Sequence, residues 1–195
     1  MRARFAGRAA AEALGPLVRG DDLSAGLPTG EARVPAAVLI GMIDRPDGLS
    51  ILLTQRTAHL ADHAGQIALP GGRIEASDPD HVFAALREAE EEVGLPPSHV
   101  EVLGRLDTYL TRTGFAITPI VGLVRPSFTL QLDAFEVAEA FEVPLSFVID
   151  PANHERQSRE LRGEMRSFFV LPYRGRHIWG VTAAILVNLA EVLAA

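Results

Sequence analysis

Three glutamates, Glu88, Glu91 and Glu92, have the spacing that most clearly indicates chemistry. At 100° per residue on a helix, they fall within about 100° of one another on one face. Like charges at this spacing repel one another, and near a helix C-terminus the helix dipole also disfavours anions. Such a face is typical of a cation site, and ligation by carboxylates alone favours Mg²⁺ or Mn²⁺ over zinc. A solvated acidic face is the alternative for this pattern taken by itself.

A glycine turn, L-P-G-G at residues 69–72, precedes this helix. Gly71 and Gly72 allow tight backbone geometry and present N–H or carbonyl groups at close range, so we expect both among the substrate contacts. Taken alone, Pro-Gly-Gly predicts only a turn. Together with the helix it forms a longer pattern: Gly72, five residues, Asp78, eight residues, and then R-E-A-x-E-E-x-G-L over residues 87–95.

This pattern resembles the Nudix box, G-x5-E-x7-R-E-U-x-E-E-x-G-U, in which U is a bulky aliphatic residue. Every fixed residue of its second half matches, with Ala89 as a small U. In the first half, Asp78 stands for the glutamate and one extra residue precedes Arg87. The resemblance implies an α+β Nudix fold, a mixed β-sheet sandwiched between helices in α/β/α layers, with residues 70–95 as a loop–helix–loop. It also implies a hydrolase of nucleoside diphosphates linked to another moiety.

The resemblance further implies a role for each residue of the box. Glu88 and Glu92 would be the primary ligands of Mg²⁺ or Mn²⁺, Glu91 would be a further ligand or the base, and the Gly72 carbonyl would complete the coordination. Arg87 would orient the glutamates. The metal would neutralise charge on the phosphoryl oxygens and activate the attacking water, so that no protein nucleophile is needed.

Candidates for phosphate binding and for the general base also lie outside the box. Arg56 can bind phosphate oxygens bidentately, and a structural ion pair is the alternative. For the base, Glu88 competes with Glu136 and Glu139 in the acidic segment 133–142, because some Nudix enzymes use a glutamate from a later loop. The alternative for this segment is a solvated loop or a short helix.

A second pattern, upstream of the box, narrows the expected substrate. L-L-T-Q-R-T at 52–57, Gly65 and the turn at 69–72 are similar to L-L-T-x-R-S/A-x3-R-x3-G-x3-F-P-G-G, the signature of the coenzyme A pyrophosphatase branch. Ala61 replaces the motif arginine, and Leu69 replaces the phenylalanine. The resemblance implies hydrolysis of coenzyme A or a derivative into 3′,5′-ADP and (acyl-)4′-phosphopantetheine. The alternatives are a Nudix hydrolase for ADP-ribose, NADH or a nucleoside triphosphate, and a non-catalytic nucleotide-binding domain.

Composition excludes several other classes of function. The 195 residues include no cysteine and no lysine, and the formal charge is −7. Disulfides, thiolate and Schiff-base nucleophiles, Cys-ligated zinc and iron–sulfur clusters are therefore excluded. The acidic balance argues against nucleic-acid binding, and no apolar run reaches the ~18–20 residues of a membrane span. We expect a cytoplasmic enzyme with a small nucleotide substrate and no membrane partner, either a monomer or a homodimer.

The elements that must position these residues follow from hydrophobic patterning and turn residues. We expect one domain over residues 1–195, with an N-terminal arm at 1–32. We also expect His59, His63 and His81 at the surface, and Trp179 with Phe168–Phe169 in the core. The predicted elements are a helix at 8–17, a strand hairpin of 34–43 with 50–55, a loop at 57–72, a helix at 79–94 capped by Asp78, strands at 100–106 and 117–124, a short helix or turn at 144–149, a hairpin of 167–172 with 177–179, and a closing helix at 180–195.

Overall fold

In the part of the chain that the structure describes, a mixed sheet of nine strands and a second sheet of three strands form the framework. The computed structural model describes residues 5, 16–17, 32–59, 63–161 and 163–195. The helices whose bounds fall within these ranges are α1 (His81–Val93), α2 (Leu145–Ile149) and α3 (Gly180–Ala194). The strands are β1 (Pro16–Leu17), β2 (Val34–Arg45), β3 (Gly48–Arg56), β4 (Ile67–Ala68), β5 (Gly71–Arg73), β6 (Val100–Arg105), β7 (Thr108–Leu110), β8 (Phe115–Val124), β9 (Val137–Pro144), β10 (Glu155–Leu161), β11 (Glu164–Tyr173) and β12 (Arg176–Trp179).

The large sheet has the order β1-β7-β8-β2-β3-β4, and β5, β6 and β9 pair with β2, β8 and β3 respectively. The pair β2–β8 is parallel over ten residues, whereas β2–β3 is an antiparallel hairpin. The small sheet has the antiparallel order β10-β11-β12. The large sheet is therefore mixed, as predicted.

The strand β2 shows why the large sheet needs cover on both faces. Because side chains alternate along a strand, Ala37 and Leu39 enter one apolar cluster while Ile40 and Met42 enter the other. A strand that buries apolar side chains on both faces must lie between two layers.

The helices supply those two layers. Helix α1 packs through Ala85 and Ala89 onto the cluster that contains Leu39. Helix α3, which is apolar over most of its length, packs with α2 into the cluster that contains Ile40. This arrangement confirms the predicted α/β/α fold. No helix in the described ranges is long and apolar enough to cross a membrane.

The predicted N-terminus of α1 is wrong by two residues. Asp80, not Asp78, caps the helix, and its carboxylate accepts the N–H of Phe83 at 2.8 Å. The carboxylate of Asp78 is instead engaged by the N–H of Glu75 and by Arg87. The helix ends before Gly94, which has a φ of 68° as expected for a glycine cap.

Several segments predicted as loops contain strands. The loop at 57–72 includes β4 and the beginning of β5, most of 133–142 belongs to β9, and β7 and β10 are further strands that patterning does not predict. Most of the helix predicted at 8–17 lies outside the described residues. Its end, Pro16–Leu17, is strand β1, paired in parallel with β7.

Candidate active site

The turn at residues 69–72 holds its two glycines against different partners. Strand β5 pairs with β2, with Gly71 opposite Val38. Gly71 has a φ of 152°, and a Cβ there would lie 2.5 Å from the Cα of Val38, so only glycine fits. A Cβ on Gly72 would lie 2.5–2.7 Å from the carboxylate atoms of Glu88. The turn therefore forms a close-fitting cradle for that carboxylate.

Glu92 is a buried carboxylate on the inner side of α1. The residue is 5% exposed, and its Oε2 accepts the N–H of Gly71 at 3.3 Å. Burial, together with repulsion from Glu88, raises the pKa of Glu92 to about 8, although the Gly71 N–H and Arg56 oppose the shift. An acid in such a position is costly to ionise unless a cation joins it.

Glu88 lies one turn earlier on α1, beside Gly72. Its side chain is 18% exposed, and Oε1 lies 3.1 Å from Arg87 Nη1. Burial raises the pKa of Glu88, the charge of Arg87 opposes the shift, and Glu91 and Glu136 add to it. The charge of Glu88 in turn contributes to the raised pKa of Glu92.

Arg87 links the loop to the helix through several carboxylates. Its Nε and Nη2 each donate to one oxygen of Asp78 at 3.0 Å, a bidentate pair, and Nη2 also donates to the carbonyl of Arg73 at 3.2 Å. Its Nη1 contacts Glu91 at 2.9 Å as well as Glu88. The Asp78 side chain is completely shielded from solvent, and its hydrogen bonds to Arg87 lower its pKa. Asp78 thus anchors Arg87 despite the extra residue before it.

Arg56, at the end of β3, faces two of the predicted acids. Its Nη1 lies 3.9 Å from Glu92 Oε1 and 3.9 Å from Glu136 Oε2. Thr57 fixes this arrangement, because its N–H donates to the carbonyl of Glu136 at 3.0 Å and its hydroxyl donates to that of Phe135 at 2.8 Å. Sequence analysis missed this positioning role of Thr57, although Thr57 occupies the S/A place of the upstream pattern.

The structure brings together some of the predicted site residues but not all. The side chain of Glu91 is 60% exposed and contacts Arg87 rather than Glu88 or Glu92. Glu139 lies beside Gln55 and pairs with Arg176, so of the two candidate bases in segment 133–142 it is Glu136 that reaches Arg56. The residues that converge are Arg56, Gly71, Gly72, Arg87, Glu88, Glu92 and Glu136.

The converging residues fit a divalent cation. Among the described residues no three His, Asp or Glu side chains form a ready-made cage. The inner pair, Glu88 and Glu92, nevertheless offers hard oxygen donors beside the main chain of Gly71 and Gly72. Burial raises the pKa of both acids, and a bound cation would favour their charged forms.

Comparisons with known proteins bear on the fold and on the family. A sequence model of the NUDIX domain matches residues 32–162. The "Uncharacterized Nudix hydrolase NudL" of Escherichia coli strain K12 is 41% identical over 155 residues, which cover 80% of each chain. Among solved structures, "a Nudix Hydrolase from M. Smegmatis, RenU" has a TM-score of 0.57 at 22% identity and covers 90% of this chain and 95% of its own. A MutT/nudix family protein from Enterococcus faecalis has a TM-score of 0.50 at 18% identity and covers 86% and 63%.

Proposed function

The chain belongs to the NUDIX domain family, and on that premise we propose that it hydrolyses the diphosphate bond of coenzyme A or a derivative of it. The products are 3′,5′-ADP and (acyl-)4′-phosphopantetheine, and the cofactor is Mg²⁺ or Mn²⁺. The observation that carries this proposal is the position of Arg56. It belongs to the stretch similar to the coenzyme A signature, and its guanidinium lies 3.9 Å from both Glu92 and Glu136.

The acids of α1 are assigned to the metal. Glu88 and Glu92 would hold it as the primary ligands, the Gly72 carbonyl would complete the set, and Glu91 would be a further ligand. When bound, the metal supplies charge neutralisation at the phosphoryl oxygens and a more acidic water. Arg87 keeps Glu88 and Glu91 in place through its contacts at 3.1 and 2.9 Å.

The substrate diphosphate is assigned to the space between Arg56 and the glycine turn. In the free protein Arg56 faces two carboxylates at 3.9 Å. This distance is longer than a hydrogen bond, so the guanidinium N–H groups can donate to a bound phosphate. The glycine turn is near this guanidinium, because Gly71 donates its N–H to the same Glu92 carboxylate that Arg56 faces.

The reaction needs one proton acceptor. Water attacks phosphorus, the bond from that phosphorus to the bridging oxygen breaks, and the water proton goes to a carboxylate. Glu136 is the best-placed acceptor, because its backbone is held by Thr57 while its side chain is 43% exposed. Glu88 is the alternative base, although its contacts with Gly72 and Arg87 favour a ligand role.

A second candidate is a Nudix hydrolase for ADP-ribose, NADH or a nucleoside triphosphate. The observation that favours it is the departure from the coenzyme A signature at Ala61, which lies outside the described residues, and at Leu69, which is buried with 4% exposure. A non-catalytic binding domain is disfavoured, because binding alone gives no reason to place Glu92 in the interior next to Glu88.

One substrate screen tests these assignments. Purified protein with Mg²⁺ or Mn²⁺ is incubated with coenzyme A, acetyl-CoA, ADP-ribose, NADH and dGTP, and products are separated by anion-exchange chromatography. We expect 3′,5′-ADP from coenzyme A or acetyl-CoA at the highest kcat/KM. A higher kcat/KM for ADP-ribose or NADH would replace the coenzyme A assignment with the second candidate, and no turnover of any substrate would support the binding domain.

A further inference from the structure

An exposed aromatic pair stands at the rim of the candidate site. Phe135 is 65% exposed, which makes it, with Met165, the most exposed large apolar residue in the described ranges. The ring of His59 packs edge-on against it, with centroids 5.0 Å apart and planes at 60°. Sequence analysis placed His59 simply at the surface, and it singled out no role for Phe135.

The ring of Phe135 is exposed on a backbone that is firmly held. Its carbonyl accepts the hydroxyl of Thr57 at 2.8 Å, and its N–H donates to the carboxylate of Asp133 at 2.9 Å. A large apolar side chain in a rigid turn is ordinarily packed into the core, so its exposure at a fixed position indicates a surface meant to be covered.

The pair lies directly beside the residues assigned to the phosphates. Phe135 precedes Glu136, whose carboxylate is 3.9 Å from Arg56. His59 follows Arg56 by three residues, which is at most about 10 Å of chain. A group covering Phe135 is therefore within reach of a diphosphate bound at Arg56.

We infer that Phe135, buttressed by His59, is the stacking platform for the nucleobase of the substrate. The inference rests on the proposed action on a nucleotide diphosphate, but not on coenzyme A being the substrate. The two rings are tilted by 60° rather than stacked face to face, and 65% of Phe135 stays exposed. The exposed aromatic surface suits a planar heteroaromatic ring better than a flexible pantetheine chain. Phe135 would thereby set the preference for nucleotides over other diphosphates.

The test compares two ligands that differ only in the base. Inhibition constants of AMP and ribose 5-phosphate are measured against the best substrate for wild type, Phe135→Ala, Phe135→Tyr and the control Phe83→Ala. Phe83 is 50% exposed on α1, so its substitution is a matched loss of an exposed ring. We expect Phe135→Ala to raise the inhibition constant of AMP by about tenfold and to leave that of ribose 5-phosphate unchanged. Phe135→Tyr should retain AMP binding, and Phe83→Ala should change neither constant.

Three results would overturn the inference. The first is AMP binding no tighter than ribose 5-phosphate in wild type, and the second is an unchanged constant for AMP in Phe135→Ala. The third is an equal weakening of both ligands, which would assign Phe135 a structural role. The substrate screen decides separately whether coenzyme A is the substrate, so failure of that assignment leaves the AMP comparison valid.

Discussion

Glu92 is buried, so its charged carboxylate reduces the stability of the folded protein, yet its position suits metal binding. The folded protein holds its proton more tightly than an unfolded chain does, because burial raises its pKa from 4.5 to about 8. In metal-free protein, ionisation of Glu92 therefore reduces stability as the pH rises through that interval. A buried acid that costs stability in the free protein and lies beside a second acid is a strong candidate for function.

We expect Glu92→Gln to lower turnover and to raise the stability of the metal-free protein. Loss of a residue that hydrogen-bonds to a metal ligand lowers metal affinity or activity by about 10–100-fold. Loss of a direct ligand should therefore lower kcat by at least about a hundredfold. Because glutamine stays neutral, the melting temperature in EDTA at pH 8 should exceed that of wild type, at roughly 2–4 °C for each kcal/mol gained. Steady-state kinetics and differential scanning calorimetry measure the two effects.

The matched control for this substitution is Glu90→Gln on the same helix. Glu90 is exposed and lies away from the converging residues, so turnover and melting temperature should both stay close to wild type. Near-normal activity of Glu92→Gln, or an equal loss in Glu90→Gln, would remove the assignment of the inner face of α1 to the metal.

Strand β5 contacts its neighbouring elements at two glycines where a side chain has no room. A Cβ on Gly72 would overlap the far end of a flexible side chain, the Glu88 carboxylate, whereas a Cβ on Gly71 would overlap backbone of β2 at a positive φ. The two neighbouring glycines therefore predict different outcomes for the same substitution.

We expect Gly72→Ala to fold and lose activity, and Gly71→Ala to be severely destabilised. In Gly72→Ala the Glu88 carboxylate must move, and a displacement of about 1 Å can cost about a hundredfold in rate. Kinetics and thermal unfolding of both variants measure this difference. Gly41→Ala in β2 is the control, because its Cβ would find ordinary contact at 3.4 Å from Val124. Full activity of Gly72→Ala would contradict the proposal that the close fit of Gly72 against Glu88 is needed for activity.

A second contact between elements, at the far end of the β2–β3 hairpin, makes stability depend on pH. Arg45 donates through two nitrogens to Glu142 on β9, and Ser50 also donates to that carboxylate. The hydrogen bond from Arg45 lowers the pKa of Glu142 below its usual value of 4.5. The contribution of this pair is therefore present above about pH 4.5 and is lost as the pH falls through the lowered pKa.

We expect Glu142→Gln to melt a few degrees below wild type at pH 7. The side chains of Arg45 and Glu142 are 37% and 27% exposed, so solvent screening limits the pair to about 1 kcal/mol. The gap in melting temperature should close as the pH falls through the lowered pKa of Glu142, because the protonated glutamate is then neutral, like the glutamine of the variant. A gap that stays constant over this range would show that packing, rather than charge, is lost.

Elements with strong local signals could be predicted from the sequence, and those defined by distant partners could not. The β2–β3 hairpin has a turn between two β-rich runs, and α1 carries the Nudix pattern itself. By contrast, β5 is a Gly-Gly-Arg segment that forms a strand only because β2 lies beside it. The hydrogen bonds that Arg87 donates to Asp78 likewise join residues 9 positions apart in the chain. Glu136 lies beside Arg56 although 80 positions separate them.

For the whole molecule, the distribution of charge matters more than its total. Residues 75–92 hold seven acids and one arginine, a net −6 out of the formal −7. The one arginine, Arg87, pairs bidentately with Asp78, while the charge of Glu88 contributes to the raised pKa of Glu92. A bound divalent cation would offset most of the remainder near the inner pair.

The large apolar cluster joins distant parts of the chain and supports the proposal of one domain. Phe5, from the predicted arm, is fully buried in the same cluster as Ile40 of β2 and Leu186 of α3. Residues 163–195 lie beyond the NUDIX match yet line this cluster. The large buried side chains that they contribute to this cluster are Leu171, Tyr173, Ile178, Ile185, Leu186, Val187 and Leu189.

We expect a chain ending at residue 162 to be unfolded rather than a smaller active domain. Burial of a large apolar side chain contributes about 1.5–3 kcal/mol, so loss of seven removes about 10–20 kcal/mol, against a typical net stability of about 5–15 kcal/mol. Far-UV circular dichroism and urea unfolding measure the outcome. The control is a chain ending at residue 190, because the last five residues are exposed or only partly buried. A cooperative urea transition in the 162-residue chain would show that residues 163–195 are an appendage, and that the domain proposed here is smaller than the whole chain.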